Sequence, residues 1–503
     1  MPSDVYQKTL YKRGFITSER DPAEAPAHWR RWSNARLSVA FDPDLDFQAE
    51  AINDTFLLIF GKLVLLDHQS VDQKDIALNL LQALMISEER FFSVLEGACG
   101  RFACIFSQNG QVKVLNDACG MRRVFYGHSH HTAIASHAEL LARHLSCDKS
   151  ESAAAFLSEA KPRTYNMSFL PGFATTYDKI KILCPNTYFN FEKCKIYRYY
   201  PSQKICPLSD EDIILGAGEV SQSLAKKLMS LSPLAVSLTA GLDSRFTLAA
   251  SCQDIGNLQF FTYIRKGEKI NIVDAAIASR LAADYHLQHK LYLFNYELTE
   301  ADAAYADFQR FRRVASRSVE FEHFLPLAHA YMHTWPETRT HLRSNIGEMC
   351  RAQFRQRSFA SLLSAGTILE QFSALYRYIV GCSSHSYINE QFANYLDETH
   401  LEANLNGWDP TSLYRWEHLV GVWHGSLLLE SDFSHDTVSI FNCRRLLALF
   451  AAGSLESQVS ARLMRGTIES LAPELLKQPI NPPLNQLTDA EVQHFGSEVF
   501  SSV

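Results

Sequence analysis

The sequence predicts two successive folds: an α+β module rich in antiparallel sheet, then an α/β module with a parallel sheet and a helical C-terminal part. Three observations indicate this. Short apolar runs broken by turn residues fill the first 200 residues, as in antiparallel sheets. Beyond residue 205, apolar runs of strand length alternate with helical segments, which is typical of a parallel sheet covered by helices. After Phe354 the pattern becomes mostly helical.

Apolar runs separated by turn residues mark the strands of the first module. The predicted strands cover residues 56–60, 62–66, 102–106, 112–115, 187–191 and 196–200. The first two flank Gly61 and are interpreted as a buried strand pair. Asn109 and Gly110 lie between two others and favour a tight hairpin, because both residues tolerate positive φ. Apolar residues at helical spacing predict one helix or two short ones over residues 75–95.

A change of composition near residue 205 predicts the domain boundary, which gives domains at residues 1–205 and 206–503. Ser209 is a suitable N-cap, and the three acidic residues after it favour a helix N-terminus, so a helix is expected to about Met229. The alternation then predicts a strand at 234–238, a helix from Ser244, a strand at 259–263, a helix at 273–284 and a strand at 290–294.

The composition of the chain excludes several classes of protein. With 503 residues, of which 47% are hydrophobic, the chain has enough apolar surface to fold, which excludes disorder as its main state. A net charge of −7 provides no basic field for nucleic acid. No apolar run approaches the roughly 20 residues that cross a bilayer. The first residues also lack the apolar core of a signal peptide.

The cysteines indicate a reducing compartment. Eleven of them are scattered between Cys99 and Cys443 without a CxxC pair, a pattern that predicts free thiols and gives no spacing for structural zinc. We therefore expect a cytoplasmic protein without nucleic-acid or membrane partners. The sequence leaves open whether the chain forms a homodimer.

The stretch from residue 234 to 245 is the most informative part of the sequence. An apolar strand runs into Thr239, Ala240 and Gly241, and Asp243 with Ser244 then opens a helix. Such a loop exposes backbone N–H groups and a helix N-terminus, which bind phosphate oxygens. Gly241 permits close approach, and the Asp243 carboxylate can hold a divalent cation. The P-loop pattern does not fit because no lysine follows, and an ordinary strand–helix turn capped by hydroxyls is the alternative.

The segment Leu238–Ser244 resembles SGGxDS, the pyrophosphate loop of the asparagine-synthetase-like ATP pyrophosphatases, with Thr239 and Ala240 in place of its serine and first glycine. Later segments resemble this family in the same order. Residues 260–263 resemble the second strand, and its end, with Thr262 and Tyr263, would contact adenine. Residues 274–283 with His289 resemble the helix and strand that follow. Residues 341–348, which include Gly347, resemble the second, magnesium-binding loop, and residues 439–447 are similar to PFLDxxLV. The resemblance implies an adenine-nucleotide α-hydrolase-like fold for the second module.

The first module resembles class II glutamine amidotransferase domains, which implies an Ntn-hydrolase-like sandwich. Residues 95–103 are similar to LxGxFA, residues 116–127 to RDxxGxRPLYYG, and residues 134–139 to ASEIKAL. The glutamine-hydrolysing members use an N-terminal cysteine, whose own amine is the base. This chain has no cysteine before Cys99, and removal of Met1 would expose Pro2. We therefore expect an inactive glutaminase domain, as in β-lactam and carbapenam synthetases and lasso-peptide cyclases.

The joint resemblance implies an ATP-dependent amide-bond-forming ligase. A carboxylate would attack the α-phosphate of ATP, pyrophosphate would leave, and an amine would capture the acyl-adenylate and release AMP. The substrates would be a small-molecule or peptide carboxylate and an amine, in natural-product synthesis or in peptide modification or cyclisation. ATP and Mg²⁺ are the implied cofactors, with Asp243 and Glu348 as metal ligands. Glu348, also a candidate catalytic residue, replaces the aspartate of the family; a solvated carboxylate at a helix start is the alternative.

The residues for amine capture are less well defined. Asn345 stands where β-lactam synthetases have a tyrosine, and an amide cannot act as a base. Lys477 is the nearest late lysine, although it lies off the family spacing, and an exposed lysine at a helix end is the alternative. Glu320, with Glu322 and His323, lies where the family often lines its acceptor pocket; surface positions are the alternative.

Two functions of other kinds also fit the sequence. One is an adenylating enzyme of the same superfamily that modifies RNA or a nucleobase, which the amidotransferase-like first module disfavours. The other is a non-catalytic binding protein, which the departures at Thr239, Ala240 and Glu348 favour.

Overall fold

The computed structural model describes residues 10–160, 169–265, 269–294, 339–363 and 366–496. These residues form two compact units. The first contains the described residues up to 205 and those of 354–433, and the second contains the described residues of 206–294, 339–353 and 434–496. Residues 354–433, which the sequence analysis assigned to the second domain, therefore lie in the first unit. No described helix is long and apolar enough to cross a membrane.

Two six-stranded antiparallel sheets form the centre of the first unit. Their strand orders are β10-β8-β9-β1-β3-β2 and β12-β11-β7-β6-β5-β4. The strands are β1 Phe15–Ser18, β2 Arg30–Ser33, β3 Ser38–Phe41, β4 Phe47–Ile52, β5 Thr55–Leu65, β6 Ala98–Gln108, β7 Gln111–Asn116, β8 Phe125–His128, β9 Thr132–Ala135, β10 Ile180–Ile182, β11 Thr187–Asn190 and β12 Lys195–Arg198. The antiparallel sheet expected for this part of the chain is confirmed.

The two sheets face each other, and helices cover them. The rings of Phe15 on β1 and Phe60 on β5 stack with centroids 4.3 Å apart. Helices α1 (Gln73–Ile86) and α2 (Glu88–Glu96) pack their apolar residues on the outer face of the second sheet. Helix α3 (Ala138–Leu145) packs on β8, β9 and β10 of the first sheet. The order is therefore helix, sheet, sheet, helix.

Strand β5 shows how burial on both faces shapes the sequence. The prediction of two strands flanking Gly61 is wrong, because β5 runs without a break from Thr55 to Leu65. Gly61 adopts a φ of +101°, and a Cβ there would lie 2.1 Å from the carbonyl oxygen of Arg101. The hairpin prediction is confirmed, with Asn109 and Gly110 at φ values of 52° and 75° between β6 and β7.

Two buried carboxylates, on and just after the remaining helices of the first unit, pair with arginines on its strands. These helices are α4 Glu151–Ala160, α8 Ala360–Leu363, α9 Ile368–Val380, α10 Ser386–Thr399, α11 Pro410–Leu413, the π-helix Tyr414–His424 and α12 Gly425–Ser431. Glu417 on the π-helix accepts hydrogen bonds from Arg198 (2.8 Å), Asn186 (3.1 Å) and Tyr395 (2.6 Å). Asp432 pairs with Arg101 at 2.7 Å. Since a buried carboxylate needs such partners, these pairs explain why residues 354–433 pack with the first unit.

The second unit is built on a five-stranded parallel sheet of order β15-β14-β13-β16-β17. The strands are β13 Leu234–Ser237, β14 Gln259–Arg265, β15 His289–Phe294, β16 Thr340–Leu342 and β17 Thr437–Val438. The α-helices are α5 Asp210–Leu231, α6 Leu242–Ser251, α7 Lys269–Asp284, α13 Arg444–Ala451, α14 Leu455–Val459, α15 Arg462–Leu471 and α16 Asp489–Gly496. The α/β prediction is confirmed. Ser209 caps α5 as expected, accepting the Asp212 N–H at 3.1 Å.

Candidate functional site

The candidate site lies where the strand order of the parallel sheet reverses. From β13 the chain proceeds outward through β14 and β15, then returns to place β16 on the other side of β13. In such sheets, ligands bind in the crevice outside the carboxyl ends of the strands at this point. A cavity of about 250 Å³ is found there. Its lining residues follow β13, β14 and β16: Ser237, Thr239, Gly241, Asp243, Ser244, Phe261, Tyr263, His341, Arg343, Ser344 and Asn345.

Hydroxyl groups fix the shape of the loop after β13. Thr239 Oγ1 accepts the Gly241 N–H at 3.1 Å and lies 3.0 Å from Ser244 Oγ. Ser244 Oγ in turn accepts the Thr239 N–H at 3.2 Å. Gly241 is the N-cap of α6 and has no side chain to cap the helix, so the positive end of α6 faces the cavity side of the loop without a side-chain cap. This geometry suits an anion.

Asp274 on α7 holds the loop from the other side. Its Oδ1 accepts the Ala240 N–H at 2.8 Å. Burial raises the pKa of this carboxyl, and the hydrogen bond from Ala240 partly opposes the rise. The N–H groups of Ala240 and Gly241 are therefore already bonded inside the protein.

Arg245 ties the loop to the segment near residue 480. Its buried guanidinium donates to the carbonyl oxygens of Leu475 (3.1 Å) and Ala240 (3.3 Å), and also to those of Gln478 and Pro479. The Asn481 N–H donates to the Ala240 carbonyl at 3.1 Å. The carbonyl side of the loop is thus covered by protein.

Strand β14 contributes two residues to the cavity, Phe261 and Tyr263, and one to the support of the loop. Tyr263 lines the cavity, with its ring 4.9 Å from that of Phe261. Thr262 is buried behind it, and its hydroxyl donates to the Leu238 carbonyl at 2.6 Å. His289 Nε2 lies 2.8 Å from the same hydroxyl. Burial lowers the pKa of His289 to about 4, so the imidazole is neutral near pH 7.

The loop after β16 packs directly against the loop after β13. A Cβ at Gly347 would lie 2.8 Å from the Phe441 ring and 3.2 Å from the Asp243 side chain, so only glycine allows this approach. The Ser344 hydroxyl donates to Thr247 Oγ1 at 2.7 Å. Glu348 lies half-buried in the short 3₁₀ helix Asn345–Cys350, outside the set of cavity-lining residues.

Asp243 faces a guanidinium. Arg351 Nη2 lies 2.9 Å from its Oδ1 and 3.0 Å from its Oδ2. In the described part of the chain, no group of three or more His, Cys, Asp or Glu side chains is arranged to hold a metal ion. The residues present, with Arg351 on Asp243, do not form a magnesium site. Magnesium on Asp243 and Glu348 stays a prediction.

The structure brings most of the predicted loop residues together. Thr239, Gly241, Asp243, Ser244 and Tyr263 line the cavity. Leu238, Ala240 and Thr262 support the loop instead, since the bonds described above join them to β14, α7 and Arg245.

The residues predicted for amine capture are not assembled by the described part of the structure. Lys477 is 70% exposed and forms an ion pair with Glu474, three residues before it. Glu320, Glu322 and His323 lie outside the described residues.

Sequence reasoning missed the role of Arg351 and of the side chains beside the strand ends. Arg351 and Asp243 are 108 residues apart, so no local pattern signals their pairing. His341 lines the cavity with its Nε2 3.0 Å from Ser237 Oγ, and Arg343 follows β16. The position of Arg343 just after a strand was the one available signal, because strand ends meet at one edge of a parallel sheet.

Comparison with known proteins does not identify the family of this chain. The chain matches no known protein family and no curated protein. Among solved structures, it is similar to one titled the allosteric regulatory enzyme of purine biosynthesis, at 10% identity and a TM-score of 0.24, over 59% of this chain and 64% of that one. It is also similar to a glutamine phosphoribosylpyrophosphate amidotransferase from B. subtilis complexed with ADP and GMP, at 10% identity and a TM-score of 0.23, over 60% and 65%. The chain thus spans just under two thirds of each, and at these TM-scores the likeness carries no argument.

Proposed function

We propose that this chain is an ATP-dependent amide-bond-forming ligase of the asparagine-synthetase-like type, with an inactive class II amidotransferase-like first module. The observation that carries the proposal is the loop Leu238–Ser244: it lies at the switch point of a parallel sheet, and its helix N-terminus has no side-chain cap. Both features favour the phosphate tail of a nucleotide. The cavity is smaller than the roughly 300 Å³ at which ligand pockets usually begin, so we assign it to that tail.

The proposed chemistry has two steps. A substrate carboxylate oxygen forms a bond to the α-phosphorus of ATP, and the bond from that phosphorus to its bridging oxygen breaks, so pyrophosphate leaves. An amine then attacks the acyl carbon, AMP leaves, and the amine loses a proton. The α6 N-terminus and Arg343 offset phosphate charge.

The proposed nitrogen source is an amine other than glutamine-derived ammonia. Glutaminases of class II require a reactive terminal thiol. In the described part of the first unit the earliest cysteine, Cys99, is buried on β6. Burial also raises the pKa of the Cys104 and Cys184 thiols, so they are poor nucleophiles. The substrates, the cytoplasmic location and a homodimer stay predictions.

The test is release of pyrophosphate by the full chain, given ATP, MgCl₂ and a panel of carboxylic acids and peptides with amines. We expect release that depends on one class of acid and is matched by AMP. Ser244→Ala should reduce it at least roughly tenfold, because the serine hydroxyl sets the loop geometry. Ser230→Ala, an exposed serine that bonds only within α5, is the matched control and should leave the rate unchanged. Formation of ADP, or no release with any acid, would argue against the proposal.

A second candidate, a binding protein without catalysis, is favoured by one observation: Asp243 is paired with Arg351. This candidate predicts that ATP binds to the chain but that no acid elicits pyrophosphate.

A further inference from the structure

We propose that Cys194 is a redox-modification site: a cavity at the edge of the first unit binds a small acidic peptide disulfide, and Cys194 forms a mixed disulfide with it. Cys194 lies in the turn between β11 and β12 of the first unit. The inference is independent of the proposed ligase activity, in which this cysteine has no part.

The first argument is a cavity of ligand size between the last strands of the two sheets. Its volume is about 590 Å³, within the range of roughly 300–1,000 Å³ that small-molecule sites occupy. Its walls come from β8 and β10 of the first sheet, from β11 and β12 of the second, and from the C-terminal end of α10. Because β10 and β12 are the last strands of their sheets, the cavity lies at the edge of the sandwich. Lys179 and Lys195 line it and are exposed, so a ligand can enter from solvent.

A hydroxyl group in the cavity wall lacks a partner. Tyr126 lines the cavity, is 6% exposed, and packs its ring on that of Phe189 with centroids 4.6 Å apart. Among the described residues, no group forms a hydrogen bond with the Tyr126 Oη. A buried polar group without a partner costs free energy, so the site favours a ligand that brings a polar atom to this hydroxyl.

The second argument is charge. Lys179 and Lys195 line the cavity, and so does Asp397 at the end of α10. In the part of the chain that the structure describes, none of these three groups is in an ion pair, whereas Lys181 and Glu398 neutralise each other at 2.5 Å. Apart from its histidines, the cavity therefore offers two positive charges and one negative charge to a ligand. A small peptide with one acidic side chain has the complementary set, two carboxylates and one ammonium group.

The third argument is the environment of the thiol. Cys194 Sγ lies 3.5 Å from His128 Nδ1 and 3.2 Å from Thr132 Oγ1. His128 can accept the thiol proton, which leaves the thiolate, the form of cysteine that attacks disulfides. Both Cys194 and His128 line the cavity, and among its described lining residues Cys194 is the one cysteine. The nucleophile and the charges that would bind the peptide thus share one cavity.

The proposed step is thiol–disulfide exchange, in which the bound peptide disulfide is the oxidant. The Cys194 thiolate attacks one sulfur of that disulfide and forms a bond to it, and the sulfur–sulfur bond of the ligand breaks. The second peptide leaves as a thiolate and takes up the proton that His128 received. Cys194 is oxidised to the mixed disulfide, and the leaving peptide is reduced to a thiol.

The test compares glutathione disulfide, an acidic probe, with hydroxyethyl disulfide, a neutral one. Modification rates of Cys194 and of the exposed Cys206, which does not line the cavity, are measured in the full chain by mass spectrometry of peptic peptides. We expect the ratio of the Cys194 rate to the Cys206 rate to be at least roughly tenfold higher with the acidic probe, because the lysines concentrate an anion beside Cys194. Lys179→Gln combined with Lys195→Gln should remove most of this difference.

Two further variants separate binding of the peptide from activation of the thiol. Lys193→Gln is the matched control, because Lys193 lies over the Tyr197 ring at 5.5 Å and does not line the cavity; it should leave the ratio nearly unchanged. His128→Gln should slow Cys194 with both probes alike, since His128 acts on the thiol and not on the ligand. Equal ratios for the two probes, or an unchanged ratio after loss of both Lys179 and Lys195, would overturn the inference.

Discussion

Single side chains show where charge is held inside this protein. Glu417 is fully buried, yet Arg198, Tyr395 and Asn186 all donate to it. Burial lowers the pKa of Arg198, but the attraction of Glu417 and the hydrogen bonds that Arg198 donates to it outweigh burial and raise the pKa. None of these pairings is visible in the sequence, because the partners are more than 200 residues apart for Arg198 and Glu417.

We predict that Glu417→Gln destabilises the first unit strongly. The change leaves the buried guanidinium of Arg198 without its counter-charge, and breaking a buried pair in this way typically costs about 3–5 kcal/mol. The measurement is the urea midpoint of unfolding. Glu398→Gln is the control, since Glu398 pairs with Lys181 at a partly exposed site and should cost less than about 1 kcal/mol. Equal midpoints for the two variants would contradict this reading.

His418 should make stability depend on pH. Burial lowers its pKa to about 3, and its Nε2 accepts the Gly172 N–H at 2.9 Å. The folded state therefore prefers the neutral ring, so its contribution is complete above the unfolded pKa of roughly 6.5 and is lost as pH falls from there towards 3. We expect a loss of about 1.4 kcal/mol per pH unit from this group below pH 6.5.

The contribution of His418 is measured by comparing the unfolding free energies of the unchanged protein and of His418→Gln at pH 7 and pH 5. His418→Gln cannot titrate, so it should lose less stability over that range than the unchanged protein. Because His137 and His289 are also buried with lowered pKa values, the variant should keep part of the slope. Parallel pH profiles would show that His418 does not carry the effect.

Among the secondary-structure elements, the sequence predicted most accurately the turns and helix ends that neighbouring residues determine. The Asn109-Gly110 hairpin and the Ser209 cap are local devices, and both are confirmed. Helix α6 begins at Leu242, before the predicted Ser244, because its N-cap is a glycine without a side-chain signal. The prediction that Gly61 separates two strands was wrong, because glycine is needed there for close contact with Arg101 on a neighbouring strand, and the sequence does not show that contact. The order of strands in the parallel sheet likewise depends on packing between distant segments.

The contact between the two loops gives a prediction at Gly347. A methyl group there would collide with Phe441 and press on Asp243, so Gly347→Ala should cost about 1–3 kcal/mol and weaken tripolyphosphate binding. Urea unfolding and calorimetry measure the two effects. Gly256→Ala is the matched control, because a Cβ there meets nothing within 4 Å. If both variants bind tripolyphosphate equally well, the two loops do not act together.

At the scale of the whole molecule, the sequence predicted the antiparallel sheet of the first part and the parallel sheet of the second, whereas the set of side chains around the loop after β13 depends on distant residues. Arg351 and His341 reach this region only through the sheet topology, since each is about 100 residues from its partner there. The assignment of residues 354–433 to the first unit follows from buried pairs such as Glu417 with Arg198, which no local pattern encodes.

The proposed reaction should proceed without glutamine. We expect the rate of acid-dependent pyrophosphate release to be unchanged by added glutamine, and no glutamate to form, because the described first unit offers buried thiols with raised pKa values at Cys104 and Cys184. Chromatography of the amino acids after the reaction measures this. Stoichiometric glutamate would mean that the first unit is an active glutaminase.

The most direct test of the account is a crystal structure of the full chain with the non-cleavable analogue α,β-methylene-ATP. The account predicts phosphate oxygens at the loop between Thr239 and Ser244, against the N-terminus of α6. A nucleotide bound elsewhere, or an empty loop at saturating analogue, would contradict it.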